Sequence, residues 1–381
     1  MIRSMRIGIF MTLVIIAGCG GVDKEEKAYR DALALIEKHS YPQAVGVLSE
    51  LGNYRDSVSI RSQLYDIMNG KTIAADSNIA AIKSDGTIME IDAMENATGT
   101  NDWRSIRSLS ASDGYLTGID EFGTVVTTNP VDIAELEACT TNSCWAMIPT
   151  IKETQEWRHV TTFEGHYPQS AVALFEDGTV RAASSLMTND EVDAVKSWQK
   201  IVSIAESRSY IAGVKEDGTV VIAGGDDLIF EMKAALDEAR QWTNIATISA
   251  SDSHIVGLKR DGTVVAAGIN KFGECRVEEW KDIIAVAADW YYTIGLKRDG
   301  TVVVTGNKLH EIGSINNWRD IVEIDASTSY AIGLKSDGTL VFAGDRDSAN
   351  ASEDNTSRMP DVLRFSELLV PSVQVSEIDE S

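Results

Sequence analysis

The sequence predicts a mainly β protein, a seven-bladed β-propeller preceded by a small α-helical hairpin segment, and three regularities carry the prediction. A hairpin signature, LKRDGTV in the copy at 258–264, recurs with turn glycines at Gly86, Gly123, Gly178, Gly218, Gly262, Gly300 and Gly338. The spacings of 37, 55, 40, 44, 38 and 38 residues fit radially repeated four-stranded blades rather than helical solenoids, whose repeats carry a 3.6-residue period. Trp stands twenty residues before the glycine at Trp103, Trp198, Trp242, Trp280 and Trp318, with Trp157 displaced by one, and Ile seventeen before at Ile106, Ile201, Ile245, Ile283 and Ile321.

In chain order, Arg3 and Arg6 precede an apolar run from Ile7 to Ile16. Ten residues are too few to span a bilayer but suit the hydrophobic region of a signal peptide. Ile16-Ala17-Gly18-Cys19 resembles a bacterial lipobox, which implies cleavage before Cys19 and lipid attachment to its thiol. The expected boundaries are 1–18 for the signal peptide, 19–22 for a lipid-anchored tether, 23–69 for a helical segment, 70–368 for the propeller and 369–381 for an acidic tail. Two or three acyl chains hold a protein on a membrane stably where one does not, so the expected location is the extracytoplasmic side of a cell membrane.

The segment Asp23 to Asn69 has a helical period. Tyr29, Ala32, Leu33 and Ile36 line one face, and Tyr41, Ala44, Val45 and Leu48 repeat it twelve residues later. Gly52 ends the second helix and Asn53 to Ser57 open the next, so the whole resembles a tetratricopeptide-like hairpin. One such unit cannot bury its apolar face alone and docks on the propeller or on a partner.

Each blade reads as a β-meander. In Trp318 to Ala343, alternation over Ile321–Ala326 is followed by the short strands Tyr330–Leu334 and Leu340–Phe342, joined by the Asp337-Gly338 turn. Tyr115, Tyr210, His254, Tyr292 and Tyr330 stand eight before the glycine. Side chains at one structural position in most blades point to packing between blades, so His254 reads as structural and not as a base. Residues near 360–367, where Met359-Pro-Asp-Val362 imitates the start of a blade, are expected to complete the first blade, which has Asp66 in place of its Trp.

The pattern W-x-x-I…GLKxDGTVVxxG resembles the bacterial branch of the RCC1-like (regulator of chromosome condensation) repeats over roughly 71–368. The resemblance implies a seven-bladed propeller. Only Gly268-Ile-Asn-Lys-Phe-Gly273 looks like the G-x-N-x-x-G junction of the eukaryotic members, so their guanine-nucleotide exchange is the least favoured function here. An exported lipoprotein also does not meet cytoplasmic GTPases.

Composition narrows the classes further. Lys plus Arg number 34 against 58 Asp plus Glu, a formal charge of −24, which repels phosphate backbones and argues against nucleic acid as a partner. The five histidines, His39, His159, His166, His254 and His310, are scattered. No nucleophile motif, phosphate loop or paired-carboxylate signature is present, so no catalytic residue, cofactor or metal site is assigned. Cys139 and Cys144 are a candidate disulfide in an oxidising compartment, which would leave Cys275 free; their spacing to His159 and His166 matches no common zinc set. Asp345 to Asp354 lacks the ligand alternation of a calcium loop.

Two insertions, about Pro130 to Glu156 and Gly225 to Gln241, follow the third strand of a blade, and Ile229, Met232 and Leu236 give the second a helical stripe. These connections share a face with the turn that holds Trp290 and oppose the Asp-Gly turns. Trp145 with Met147 and Trp290 with Tyr291 form the candidate binding face, as apolar groups on an acidic surface; the alternative for Trp145 is that it packs its own insertion against the propeller. The expected function is a membrane-anchored extracytoplasmic protein-binding or scaffolding propeller whose partner is an envelope or extracellular protein. The alternative is a propeller enzyme acting on a cell-envelope or extracellular substrate, with residues drawn from several blades.

Overall fold

The computed structural model describes residues 24–373 apart from 70–71, 77–78, 93–98, 113–114, 129–149, 166–168, 307–312, 329, 345–361 and 365–367. Three helices, α1 (Lys24–Glu37), α2 (Tyr41–Leu51) and α3 (Ser57–Asn69), precede seven antiparallel sheets. The sheets comprise β1–β3 (Ile73–Ala75, Ile79–Ile82, Ile88–Asp92), β4–β6 (Ile106–Ser112, Tyr115–Asp120, Val125–Thr127) and β7–β9 (Val160–Glu164, Ser170–Phe175, Val180–Ser184). They continue with β10–β12 (Ile201–Ser207, Tyr210–Lys215, Val220–Gly224), β13–β15 (Ile245–Ala250, His254–Lys259, Val264–Gly268) and β16–β18 (Ile283–Asp289, Tyr292–Lys297, Val302–Gly306). The seventh holds β19–β21 (Ile321–Ala326, Tyr330–Lys335, Thr339–Gly344) and a fourth strand, β22 (Val362–Arg364).

The other six sheets have three strands among the described residues, not the four expected. After β9 and β12 the chain turns into α4 (Asn189–Lys196) and α5 (Phe230–Ala239). The capping box of Thr188 and Glu191 fixes the start of α4. Met232, Ala235, Leu236 and Ala239 of α5 bury against the fifth blade. Ile229 departs from the expected stripe: it is the residue before the helix, in extended conformation, and 54% exposed.

All seven hairpin glycines have φ between 72 and 82°, the region a Cβ disfavours. In six junctions the glycine carbonyl accepts the N–H of the residue that opens the next blade, as Ile106 to Gly86 and Ile283 to Gly262, at 2.9–3.1 Å. The repeated tryptophans lie in the clusters that join adjacent blades: Trp242 is buried with Val214 and Val220 of one blade and Ile245 and Ile255 of the next. Each of five Trp rings also lies on a second-strand glycine, such as Trp280 on Gly295. On the opposite rim Tyr210 donates to the carbonyls of Ser251 and His254, and Tyr292 to those of Ser327 and Tyr330, one blade onward in each case.

The closing junction is built differently. Glu323 of β19, 1% exposed, accepts the N–H groups of Thr72 (2.7 Å) and Ile73 (3.0 Å) and the Thr72 hydroxyl. Asp325 accepts Ala75 N–H at 2.9 Å, and Tyr330 donates to the Asp76 carbonyl. The C-terminal strand does not complete the first blade as expected. It pairs with β21, and of the described residues after it Leu368 and Leu369 reach the first blade, through a bridge to Lys83 and a 2.9 Å bond to the Ile82 carbonyl. The physical reason lies in β21, where Thr339, Leu340, Val341, Phe342 and Ala343 are all buried. A strand apolar on both faces needs a neighbour on its free edge, whereas β3 carries Glu90 and Asp92 in alternation.

The helical segment docks on the propeller. Leu48, Ile60, Leu64, Tyr65 and Met68 share a core with Ala246, Val256, Leu258, Val264 and Ile283. Arg298 donates to Ser40 Oγ (2.7 Å) and Arg61 pairs with Glu216 (2.6 Å). Arg298, Arg260 and Glu216 border the hairpin turns, so the helices cover the Asp-Gly-turn side.

Candidate binding face

On the side opposite the helices, the turn between β16 and β17 consists of Trp290 and Tyr291, closed by the pairing of Asp289 with Tyr292. Trp290 is 42% exposed. Its N–H donates to its neighbour Asp289 Oδ1, and its carbonyl accepts the Ser253 hydroxyl of the preceding blade at 2.7 Å. The backbone of the turn is therefore fixed while the indole faces solvent.

Tyr291 stands between two rings, with centroids 6.3 Å from Trp290 and 6.4 Å from Phe272, both within the range of favourable aromatic pairs. Phe272, 48% exposed, is a member of this face that the repeat pattern does not single out. It lies in the Gly268–Gly273 segment that follows β15, and a neighbouring blade holds that segment in place. Thr305 donates to the Gly273 carbonyl (2.7 Å), Thr293 to the Glu274 carbonyl (2.8 Å), and Phe272 N–H donates to Glu274 Oε2 (2.8 Å). Gly268 has φ 148°, and a Cβ there would meet His254 Cα at 2.5 Å, so only glycine lets the chain leave β15 toward Phe272. The one signal in the sequence was the G-x-N-x-x-G spacing, which marks a tight segment without saying that its aromatic points outward.

His254 supports this region from below. It is fully buried, with Nε2 2.8 Å from Thr293 Oγ1 and Nδ1 3.0 Å from Ser253 Oγ. Because the Thr293 hydroxyl donates to a carbonyl, it accepts the His254 Nε2–H. Burial lowers the imidazole pKa to about 4, so the ring is neutral and acts as a strut between blades. Cys275 is buried, and burial with nearby Glu274 pushes its thiol up to about 12, which makes it an inert packing group. His159 is exposed, with Nδ1 3.5 Å from Glu176. No group of three His, Cys, Asp or Glu able to hold a metal occurs among the described residues.

The inner strands surround a cavity of about 280 Å³ whose lining includes Trp290. Met68 and Asn69 at the end of α3 also line it, and Ser203 donates to Asn69 Oδ1 at 3.2 Å. The last turn of α3 thus sits among the inner strands on the hairpin side, and the channel mouth faces the Trp290 side. Trp145, Met147, Cys139, Cys144, Cys19, His166 and Asp345 to Asp354 lie outside the described residues.

Residues 245–274 match the model of the regulator of chromosome condensation (RCC1) repeat. The fold is that of an RCC1-like propeller. The CRINKLY WD40 ectodomain of the Arabidopsis thaliana receptor kinase ACR4 superposes with a TM-score of 0.50 at 14% identity, over 72% of this chain and 95% of that one. Prp20p of Saccharomyces cerevisiae, whose described binding partners are Gsp1p and histones, aligns at 15% identity over 74% and 84%, with a TM-score of 0.49. At such identities the likeness extends to the fold alone. No curated protein matches the sequence.

Proposed function

We propose that this protein is a binding or scaffolding propeller without catalytic activity, held by lipid on Cys19 at the outer side of a cell membrane, and that it offers the Phe272–Tyr291–Trp290 face to an envelope or extracellular protein. The observation that carries the binding function is this aromatic trio. Its two end members are about half exposed although the backbone groups around them are tied down, and large rigid aromatics on an acidic surface are the side chains that dominate protein recognition. The anchor rests on the signal-like run and Ile16-Ala17-Gly18-Cys19. Four residues separate Cys19 from Lys24, five Cα steps with a reach of roughly 18 Å at most. With the helices docked on the Asp-Gly-turn side, so short a tether would turn that side toward the membrane and the aromatic face away from it. In ACR4 the same fold is an ectodomain, which is consistent with export.

Two measurements test the proposal. Mass spectrometry of the membrane-fraction protein is expected to show an acylated N-terminal Cys19, and Cys19→Ser is expected to give an uncleaved precursor or a released protein. An unmodified Cys19 refutes the anchor. Capture from envelope extract with wild type, with Phe272→Ala/Trp290→Ala and with the opposite-face control Phe122→Ala, itself 70% exposed, is expected to lose a protein only with the double variant. A capture profile shared by all three refutes the binding face.

A further inference from the structure

The aromatic trio borders a concave acidic surface. Trp290 lines the channel mouth together with Asp76, Glu164, Glu206, Asp289 and Asp325, and Arg208 is the only cationic residue in the described lining. These acids come from five different blades, within one residue of the ends of their innermost strands, which all run toward the Trp290 side. A cleft with carboxylates of one sign on low-dielectric walls focuses negative potential at its opening.

The two features together restrict the ligand. An anionic ligand is repelled by the mouth. A wholly apolar ligand that covered Trp290 would strip water from the acids beside it without replacing those hydrogen bonds, which is costly. A cation that enters the mouth is drawn by the negative potential of the acids around it, and beside it the faces of Trp290 and Tyr291 attract both positive charge and apolar carbon. The cavity, at about 280 Å³, falls just short of a drug-sized pocket and suits one long side chain.

We propose that this rim is the docking site for a partner-protein segment that inserts one lysine or arginine into the channel mouth and lays an adjoining apolar side chain across Phe272, Tyr291 and Trp290. The assignment rests on the binding-propeller function and adds the chemistry of the partner.

The test uses the full chain in detergent and two fluorescein-labelled dodecapeptides, one alternating lysine with leucine and its twin with glutamate for every lysine. The lysine peptide is expected to bind saturably and the glutamate twin not at all. Phe272→Ala/Trp290→Ala is expected to weaken the lysine peptide about tenfold or more, Trp290→Arg at least as much, and Phe122→Ala on the opposite face not at all. Glu206→Gln/Asp289→Asn is expected to weaken it severalfold and to flatten the loss of affinity with added salt. Thermal melts check that each variant is folded, and Trp290→Arg, a change at an exposed turn, decides the question should the alanine pair melt early.

Equal binding of the lysine peptide to wild type and to the Trp290 variants would mean charge attraction without a site, and would overturn the proposal. So would binding of the glutamate twin. If capture from envelope extract depends on Trp290 while the lysine peptide shows no such dependence, the binding face stands and the basic partner falls.

Discussion

Of the groups that close the ring, Glu323 accepts the most hydrogen bonds, and its removal has a calculable effect. Glu323 is 1% exposed and receives three donors from Thr72 and Ile73 at the start of the first blade: two N–H groups at 2.7 and 3.0 Å and a hydroxyl. Glu323→Ala leaves those donors facing a cavity, and a buried donor without a partner costs about 1–3 kcal/mol. Because the hydroxyl can rotate and water can enter the vacated space, the expected loss is about 3 kcal/mol rather than the full sum. Glu323→Gln keeps a carbonyl oxygen for the two N–H groups, and the Thr72 hydroxyl can turn to accept from the new amide. That variant loses only the charge assistance, about 1 kcal/mol. Equilibrium urea unfolding measures both, and hydrogen exchange at Ile73 locates the effect: its amide should lose protection in the alanine variant before amides of the fourth and fifth blades do. Equal costs for Ala and Gln, or an alanine variant within 0.5 kcal/mol (about the scatter of a surface substitution) of wild type, would refute the view that Glu323 joins the ends of the ring.

Two further tests follow from the packing. Gly295→Ala would place a Cβ 2.7 Å from Trp280 Cζ3, 2.9 Å from Cε3 and 3.2 Å from Val303 Cγ2, an overpacking that costs about 1–3 kcal/mol. Combined with Trp280→Leu it should cost less than the sum of the single changes, and strict additivity in the denaturation cycle would show that the ring does not rest on that glycine. For His254, burial lowers the folded pKa to about 4 from the ordinary 6.5 of a histidine, so as pH falls the unfolded chain takes up the proton first. Stability from the neutral imidazole is fully present above pH 6.5 and drains away down to about pH 4, on the order of 3 kcal/mol in total; melts of His254→Gln should lack this slope, and parallel profiles would show that the imidazole does not titrate there.

The repeat was legible because its physics is local. An Asp-Gly pair at six of the seven hairpins (Phe122 precedes Gly123), a Trp and an Ile at fixed distances before most of them, and a Tyr on the far rim of several blades serve the next blade in the same way, so one copy explains the others. What escaped the sequence is non-local. Glu323 belongs with Ile321 and Asp325 to the set that alternates with Val322, Ile324 and Ala326, and looks like an ordinary residue of a meander; its partners, Thr72 and Ile73, come from the other end of the chain. The Met359-to-Val362 imitation of a blade start pointed the last strand to the first blade, yet the apolar edge of β21 captured it. The fourth strand expected of each blade is replaced where a helix follows the third, since α4 and α5 cover the sheet flank with an apolar stripe of their own.

The same contrast bears on where recognition resides. A position that a neighbouring blade requires, such as Trp280 or Gly295, has no freedom to meet a partner, because any change is felt in the packing. The turn ten residues before the glycine carries Asp76, Asp113, Pro168, Arg208, Asp252 and Thr328 in the other six blades, a scatter in which the repeat fixes no residue type, although Asp252 accepts the Arg208 N–H of the preceding blade at 3.0 Å. A tryptophan there remains 42% exposed and leaves apolar surface in water that folding does not recover. Phe272 repeats the case: the glycines and Asn270 around it fix the path of the chain, while the ring itself stays 48% exposed beside Tyr291. Two costs that the fold does not require fall within one ring-stacked cluster, at the rim of the channel and on the side left open by the helices. That coincidence is what a surface shaped for a partner produces, and what scattered surface hydrophobics do not.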